Sequence, residues 1–198
     1  MALSTVQICN MALANVGASS IESLAQSDAS GRQCRTFYDL CRKMTLEAFP
    51  WKFASKVVTL SEDSDDAPEL RWAYRYQYPA NCIKVQYLEN PAGKDVPPVP
   101  FELELDSTGS RKTILTDLQD ATAVITLDVT DPGLFTLHFV DTLAHLLAAK
   151  VAFPLTGKRA VGKDEGQLWF AGLAMASGQN ANEGQDDLPV EAPWIAGR

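Results

Sequence analysis

Cysteine pairs, basic clusters and long apolar runs are all missing from this 198-residue chain. Cys9, Cys34, Cys41 and Cys82 stand apart with no CxxC spacing. They read as reduced, buried small hydrophobes of a protein made in a cytoplasm. A net charge of −8 argues against a chain that grips nucleic-acid phosphates, which needs clustered Lys and Arg. The opening MALSTVQICNMALANVG has neither a basic start nor a continuous apolar stretch, so no signal peptide is expected. No segment is expected to cross a membrane, because none approaches about eighteen consecutive apolar residues.

Catalytic and cofactor motifs are missing as well. GxGxxG, GxSxG and HExxH do not occur, and Gly157-Lys158 lacks the rest of a phosphate loop. The acidic run Glu62-Asp63-Ser64-Asp65-Asp66 begins like a calcium loop, but Ala67 and Pro68 occupy positions where a ligand and a glycine belong. His138 and His145 are seven residues apart, about 10 Å along a helix, too far to share a metal directly. Cys34 and Cys41 fall on an apolar helix stripe, not in the electropositive setting a thiolate nucleophile needs. Paired carboxylates of the glycosidase kind stay open, because their pairing is spatial.

What is present is helical periodicity around a strand-like centre. Ser4 and Gln7 form a capping-box pattern ahead of a helix reaching Val16, with Gly17 at its end. The organising stretch is 28–51. Asp28 caps a helix whose stripe runs through Cys34, Phe37, Tyr38, Cys41, Met44 and Ala48, and Pro50 ends it before the anchor Trp51. Ile21 and Leu24 read as core plugs in the connection before it.

From 53 to 128 the period drops to two. KVVTL, RWAYRYQY, CIKVQYL, 101–105, 112–116 and 121–128 read as short antiparallel strands. Together they predict a small sheet or half-open barrel. Trp72, Tyr74, Tyr76 and Tyr78 alternate with Arg71, Ala73, Arg75 and Gln77. That ladder suits packing against helices or a subunit interface better than stacking bases, which needs basic residues on the same face.

A third helix, with Thr130 or Asp131 as cap and Pro132 at its first position, covers Leu134 to Phe153 and ends at Pro154. His138, Asp141, Thr142 and His145 form its polar stripe, expected to face solvent or a neighbouring subunit; the rest of its circumference is apolar. A fourth, rich in Ala and Gly, is predicted over Asp164 to Ser177. The final stretch is polar and acidic, which predicts disorder in the free chain, and it ends on PWIAGR. The aromatic close of that arm has the form of a docking peptide.

The expected architecture is α+β: a four-helix bundle with an inserted antiparallel β region between helices 2 and 3 and an extended C-terminal arm. Its divisions are 1–51 and 130–178 for the two halves of the bundle, 52–129 for the β region and 179–198 for the arm.

Taken in order, Asn10, Leu13 and Gly17, then SIESLAQSD, CRTFYDLCRKMTLEAFPWKFA, WAYRYQYPANCIKV, LFTLHFVDTLAHLLAAKVAFPLTG and the closing PWIAGR make a combination that resembles the tail tubular protein A family of podoviruses, the head-to-tail adaptors. The likeness covers most of the chain from residue 5, with 88–130 contributing little. It implies a virion protein, assembled in the host cytoplasm. Twelve copies would form a ring between the portal protein and the tail nozzle protein, around a channel through which DNA passes without specific binding. It implies no catalysis, no cofactor and no metal, and a portal-binding role for the arm, carried here to Trp194, Ile195 and Arg198. Two other readings stand beside it: a small glycan hydrolase of the phage tail using carboxylates without a motif, and a nucleic-acid-binding module on the tyrosine face.

Overall fold

The computed structural model describes residues 3–63, 71–93 and 95–182, and over these the chain is a mixed α+β fold of four helices and two small antiparallel sheets. α1 (Thr5–Asn15) opens on the capping box: Gln7 N donates to Ser4 Oγ at 3.2 Å, and Ser4 N donates to Gln7 Oε1 at 2.8 Å. Two N–H groups that a helix start leaves bare are thereby satisfied. The chain leaves α1 through Gly17 at φ +70°, a left-handed conformation that a side chain would resist. α2 (Ala29–Ala48) starts at Asp28, whose Oδ1 accepts from Gly31 N at 2.8 Å, and it stops at an extended Phe49 before Pro50.

The α2 stripe differs in part from its pattern. Cys34, Tyr38 and Cys41 are buried, Phe37 and Met44 half-buried, and Ala48 is exposed; Ser30 and Gly31 in the first turn and Arg42, Thr45 and Leu46 further on are also buried. Trp51 is the expected anchor. Its ring meets Phe49 and Phe139 edge-on with centroids 5.1 Å away, and its Nε1 donates to Thr45 O at 2.8 Å. A buried indole with its N–H satisfied contributes both area and direction.

The strands fall close to where alternation put them: β1 (Ser55–Thr59), β2 (Tyr74–Gln77), β3 (Cys82–Leu88), β4 (Glu102–Leu105), β5 (Lys112–Thr116) and β6 (Thr122–Leu127). They make two sheets, β1-β6-β3 and β2-β5-β4, where one sheet or a half-open barrel was expected. The connection between β5 and β6 explains the split. Asp120 takes φ +51° there, and the Tyr76 hydroxyl donates to Leu118 O at 2.8 Å and accepts from Ala121 N at 3.3 Å. Tyr76 thus pins the corner at which the chain leaves one sheet for the other. Val85, Leu88 and Ile125 from the first sheet share a core with Tyr76 and Ile114 from the second.

After β6, Asp131 caps a short 3₁₀ turn, Pro132–Leu134, and not the third helix itself. α3 (Leu137–Thr156) begins afresh at Thr136, whose side chain accepts from Phe139 N. Pro154 lies inside its last turn. A proline there forfeits the one bond that an N–H at 154 would have made to Lys150 O, near the helix end. The end is closed by Gly157 N donating to Phe153 O at 2.9 Å. α4 (Arg159–Asn182) starts five residues before Asp164 and runs past the predicted start of the arm at 179.

α3 packs against α1, α2 and α4. By length and composition alone it is apolar enough to cross a membrane, contrary to the expectation from the sequence. Ten of its residues, from Phe139 to Ala152, are buried, so the neighbouring helices account for that apolar character.

Candidate interaction surfaces

Half of the polar stripe of α3, Thr142 and His145, is drawn inward by α4 and does not stand open as expected. His145 Nδ1 lies 2.7 Å from Glu165 Oε2, and Asn15 of α1 donates to the same oxygen at 3.3 Å. Asp141 Oδ2 is 3.8 Å from His145 Nε2 on the outer side. Thr142 is buried, and a Cβ built on Gly172 would meet its Oγ1 at 2.6 Å. Glycine at 172 therefore lets α4 approach α3 backbone to side chain. His138 and Asp141 alone among the four are exposed. Glu165 and Asn15 were missed in the sequence, since they are 20 and 130 residues from His145.

Three rungs of the aromatic ladder are likewise committed inside, to the core between the two sheets and not against helices as expected, while Trp72 is half-buried with its Nε1 donating to Glu102 Oε2 at 3.1 Å. Tyr76 is buried, Tyr74 stacks on it at 6.4 Å, and the Tyr78 hydroxyl donates to Ile83 O at 3.3 Å under the Lys112 ammonium. Burial pushes the Tyr76 and Tyr78 hydroxyls up from their ordinary titration range. Arg75, on the other face, is buried with Glu104 at 3.4 Å. Neither face offers the bare rings and basic rim that stacked bases require.

Cys9, Cys34 and Cys41 are buried as expected, and Cys82 is half-buried. Burial pushes the Cys41 thiol up to about 12. The Cys34 thiol, hydrogen-bonded to that of Cys9, is pulled down while Cys9 is pushed up. Among the described residues, no three His, Cys, Asp or Glu side chains gather as a metal set.

One buried charge went unnoticed in the sequence. Arg42 projects from α2 to Asp128 at the end of β6, and also donates to Val129 O at 2.7 Å. Lys43 reaches the other Asp128 oxygen at 3.4 Å. Burial favours the neutral acid, but Arg42 and Lys43 outweigh it and hold the Asp128 carboxyl below its usual range. This ion pair ties the helices to the β region.

The outer surface is unusually apolar at the helices. Leu137 is 75% exposed, Phe170 66% and Met175 64%, with Leu134, Phe153 and Leu168 also open. Single exposed apolar residues need no account, but five on two adjoining helices, with Leu134 in the turn before them, do. The excess negative charge lies elsewhere. Glu62, Asp63, Asp65, Asp66 and Glu69 have no basic residue among them, and residues 183–198 carry four acids against Arg198. The rest of the chain is balanced. Of the residues assigned to portal binding, Trp194, Ile195 and Arg198 all lie outside the described residues.

No protein-family model matches the chain, and no curated protein matches it.

Proposed function

We propose that this chain is a structural protein of a podovirus virion, a head-to-tail adaptor that joins the portal to the tail nozzle as a ring around the DNA channel. In this reading the helices act as a four-helix bundle with the β region inserted between α2 and α3. The observation that carries the proposal is the apolar outer surface of α3 and α4, where Leu137, Phe170 and Met175 stand open on helices that are already packed on their inner sides. Apolar area left in water at that density is stabilised by a protein partner. The order of sequence features described above supplies the family.

The charge distribution fits a conduit. The acidic excess of the sequence falls in 62–69 and 183–198, the rest of the chain carries no net charge, and a ring of such chains, acidic overall, would not hold passing duplex DNA by its phosphates. The arm, with Trp194, Ile195 and Arg198, is assigned to the portal. A segment of its composition gives up ordering free energy on docking, which defers assembly until a finished portal presents its groove. The test is co-sedimentation with portal rings of a podovirus that encodes this chain. Wild type co-sediments and Trp194→Ala stays in the supernatant; normal assembly by Trp194→Ala would remove the arm from the proposal.

A further inference from the structure

Four strand edges bound the two sheets, and the chain treats them unequally. The β2 edge is closed by its own chain: Gln77 N donates to Ser61 O at 2.9 Å, and Asp63 N donates to Arg75 O at 2.8 Å. β3 is met at Leu88 by Val99 N at 3.2 Å and has α2 beside it. Among the described residues β4 has no such cover, and β1 has it only past its end, where Ser61 O accepts from Gln77 N. In an antiparallel pair only alternate residues exchange bonds with the neighbour, and the others point away. Leu60 N donating to Ala121 O and Asp106 N donating to Arg111 O fix the phase of each ladder. The backbone groups of Val57 and Thr59 in β1, and of Leu103 and Leu105 in β4, therefore face outward. Among the described residues none of these outward groups has a backbone partner.

These same edges carry exposed aliphatic side chains: Val57 is 54% exposed, Leu103 48% and Leu105 55%. Their charges are opposite in sign. Lys52 and Lys56 precede Val57, whereas Glu102 and Glu104 flank Leu103. Glu104 reaches Arg75 of its own sheet and Glu102 reaches Arg71 in the turn before β2, yet both glutamates remain more than two-fifths exposed. A row of outward N–H and C=O groups is satisfied by another extended backbone and by little else.

We infer that β1 of one copy pairs with β4 of a second copy, joining the sheets of neighbouring subunits head to tail. Such a contact uses each edge once, puts lysine beside glutamate, and covers Val57 with leucine. Pairing β4 with itself would instead bring Glu102 and Glu104 of two copies together, which like-charge repulsion disfavours. A contact between unlike surfaces closes a ring or grows a fibre, never a two-fold dimer. The inference rests on the reading that copies of this chain join one another, and adds the surfaces by which they do so. Strands of five and four residues bury far less than the roughly 1,200 Å² of a stable interface. Dilute protein is therefore expected to be monomeric, with the contact populated at high concentration or when a partner gathers the copies.

The experiment is sedimentation velocity on the full chain over rising concentration, with Val57→Pro and Leu103→Pro. Proline removes an outward N–H from an edge strand without touching the ladder bonds, and coincident circular dichroism and thermal melts verify the fold of each variant. Wild type is expected to associate, each variant alone to stay monomeric, and their equimolar mixture to form a two-copy species and stop there. Lys56→Glu, which alters only an exposed side chain, is expected to shift the association midpoint at least tenfold at low salt. Wild type monomeric throughout, association of either proline variant alone, a mixture that stays monomeric, or an unchanged Lys56→Glu midpoint would each overturn strand pairing. Rings that form on a portal with both edges blocked would leave the adaptor reading standing without it. A wild type that pairs through its edges but never seats on a portal would do the reverse.

Discussion

Arg42 shows how one side chain can hold two parts of a molecule in register. Its guanidinium is 2% exposed, and its partners Asp128 and Val129 are 86 and 87 residues away. Removing one member of a buried pair leaves the other uncompensated, at a cost of about 3–5 kcal/mol. Arg42→Ala is expected near the lower end of that range, since Asp128 keeps some water and Lys43; chemical denaturation at pH 7 measures it. The pH dependence has a definite sign. Because the folded Asp128 carboxyl titrates below its unfolded value, its stabilising effect is complete above the unfolded pKa and is lost as pH falls through the folded one. The stability gap between wild type and Asp128→Asn should therefore be widest at neutral pH and close below about pH 4. A gap that widens on acidification would contradict the ion pair.

Among the elements, the division between what was legible and what was not follows the range of the interactions. Capping at Ser4 and Asp28, the stop at Pro50 and the strands β3 and β5 depend on neighbours within a few residues, and all are visible as patterns. The α3 start was displaced because Asp131 and Pro132 make a sound helix opening that the chain uses for a 3₁₀ turn, and Thr136 then caps the helix. The break into two sheets depends on Tyr76 holding Leu118 and Ala121, contacts more than 40 residues distant. No local pattern carries that. The same holds for the α3 stripe, whose inner half is claimed by Glu165 and Gly172 on a helix that sequence placed too short.

The α3–α4 contact yields a sharp test at this scale. A methyl at 172 would press on Thr142 Oγ1 and also lie 3.3 Å from its Cβ and Cγ2. Gly172→Ala should destabilise by about 1–3 kcal/mol, the usual cost of overpacking. Thr142→Ala in the same chain should recover much of that loss. A thermal-melt double-mutant cycle with no coupling between the two positions would show that the helices do not meet there.

For the molecule as a whole, the decisive property is apolar surface that its own fold does not use. If Leu137 and Phe170 serve partners and not the core, Leu137→Gln and Phe170→Gln should each change stability by no more than about 0.5 kcal/mol, as surface substitutions do. Assembly with partner proteins should fail all the same. Loss of several kcal/mol in a denaturant titration would place these side chains in the fold's own energetics instead. The portal-binding assignment to Trp194, Ile195 and Arg198, which lie outside the described residues, was legible only through resemblance, and the assembly of Trp194→Ala with portal rings tests it.

Electron microscopy of the purified protein mixed with portal rings tests the adaptor reading most directly. The account predicts a second ring seated coaxially on the portal with an open channel, present with wild type and absent with Trp194→Ala. Bare portals in the presence of excess folded protein would contradict it.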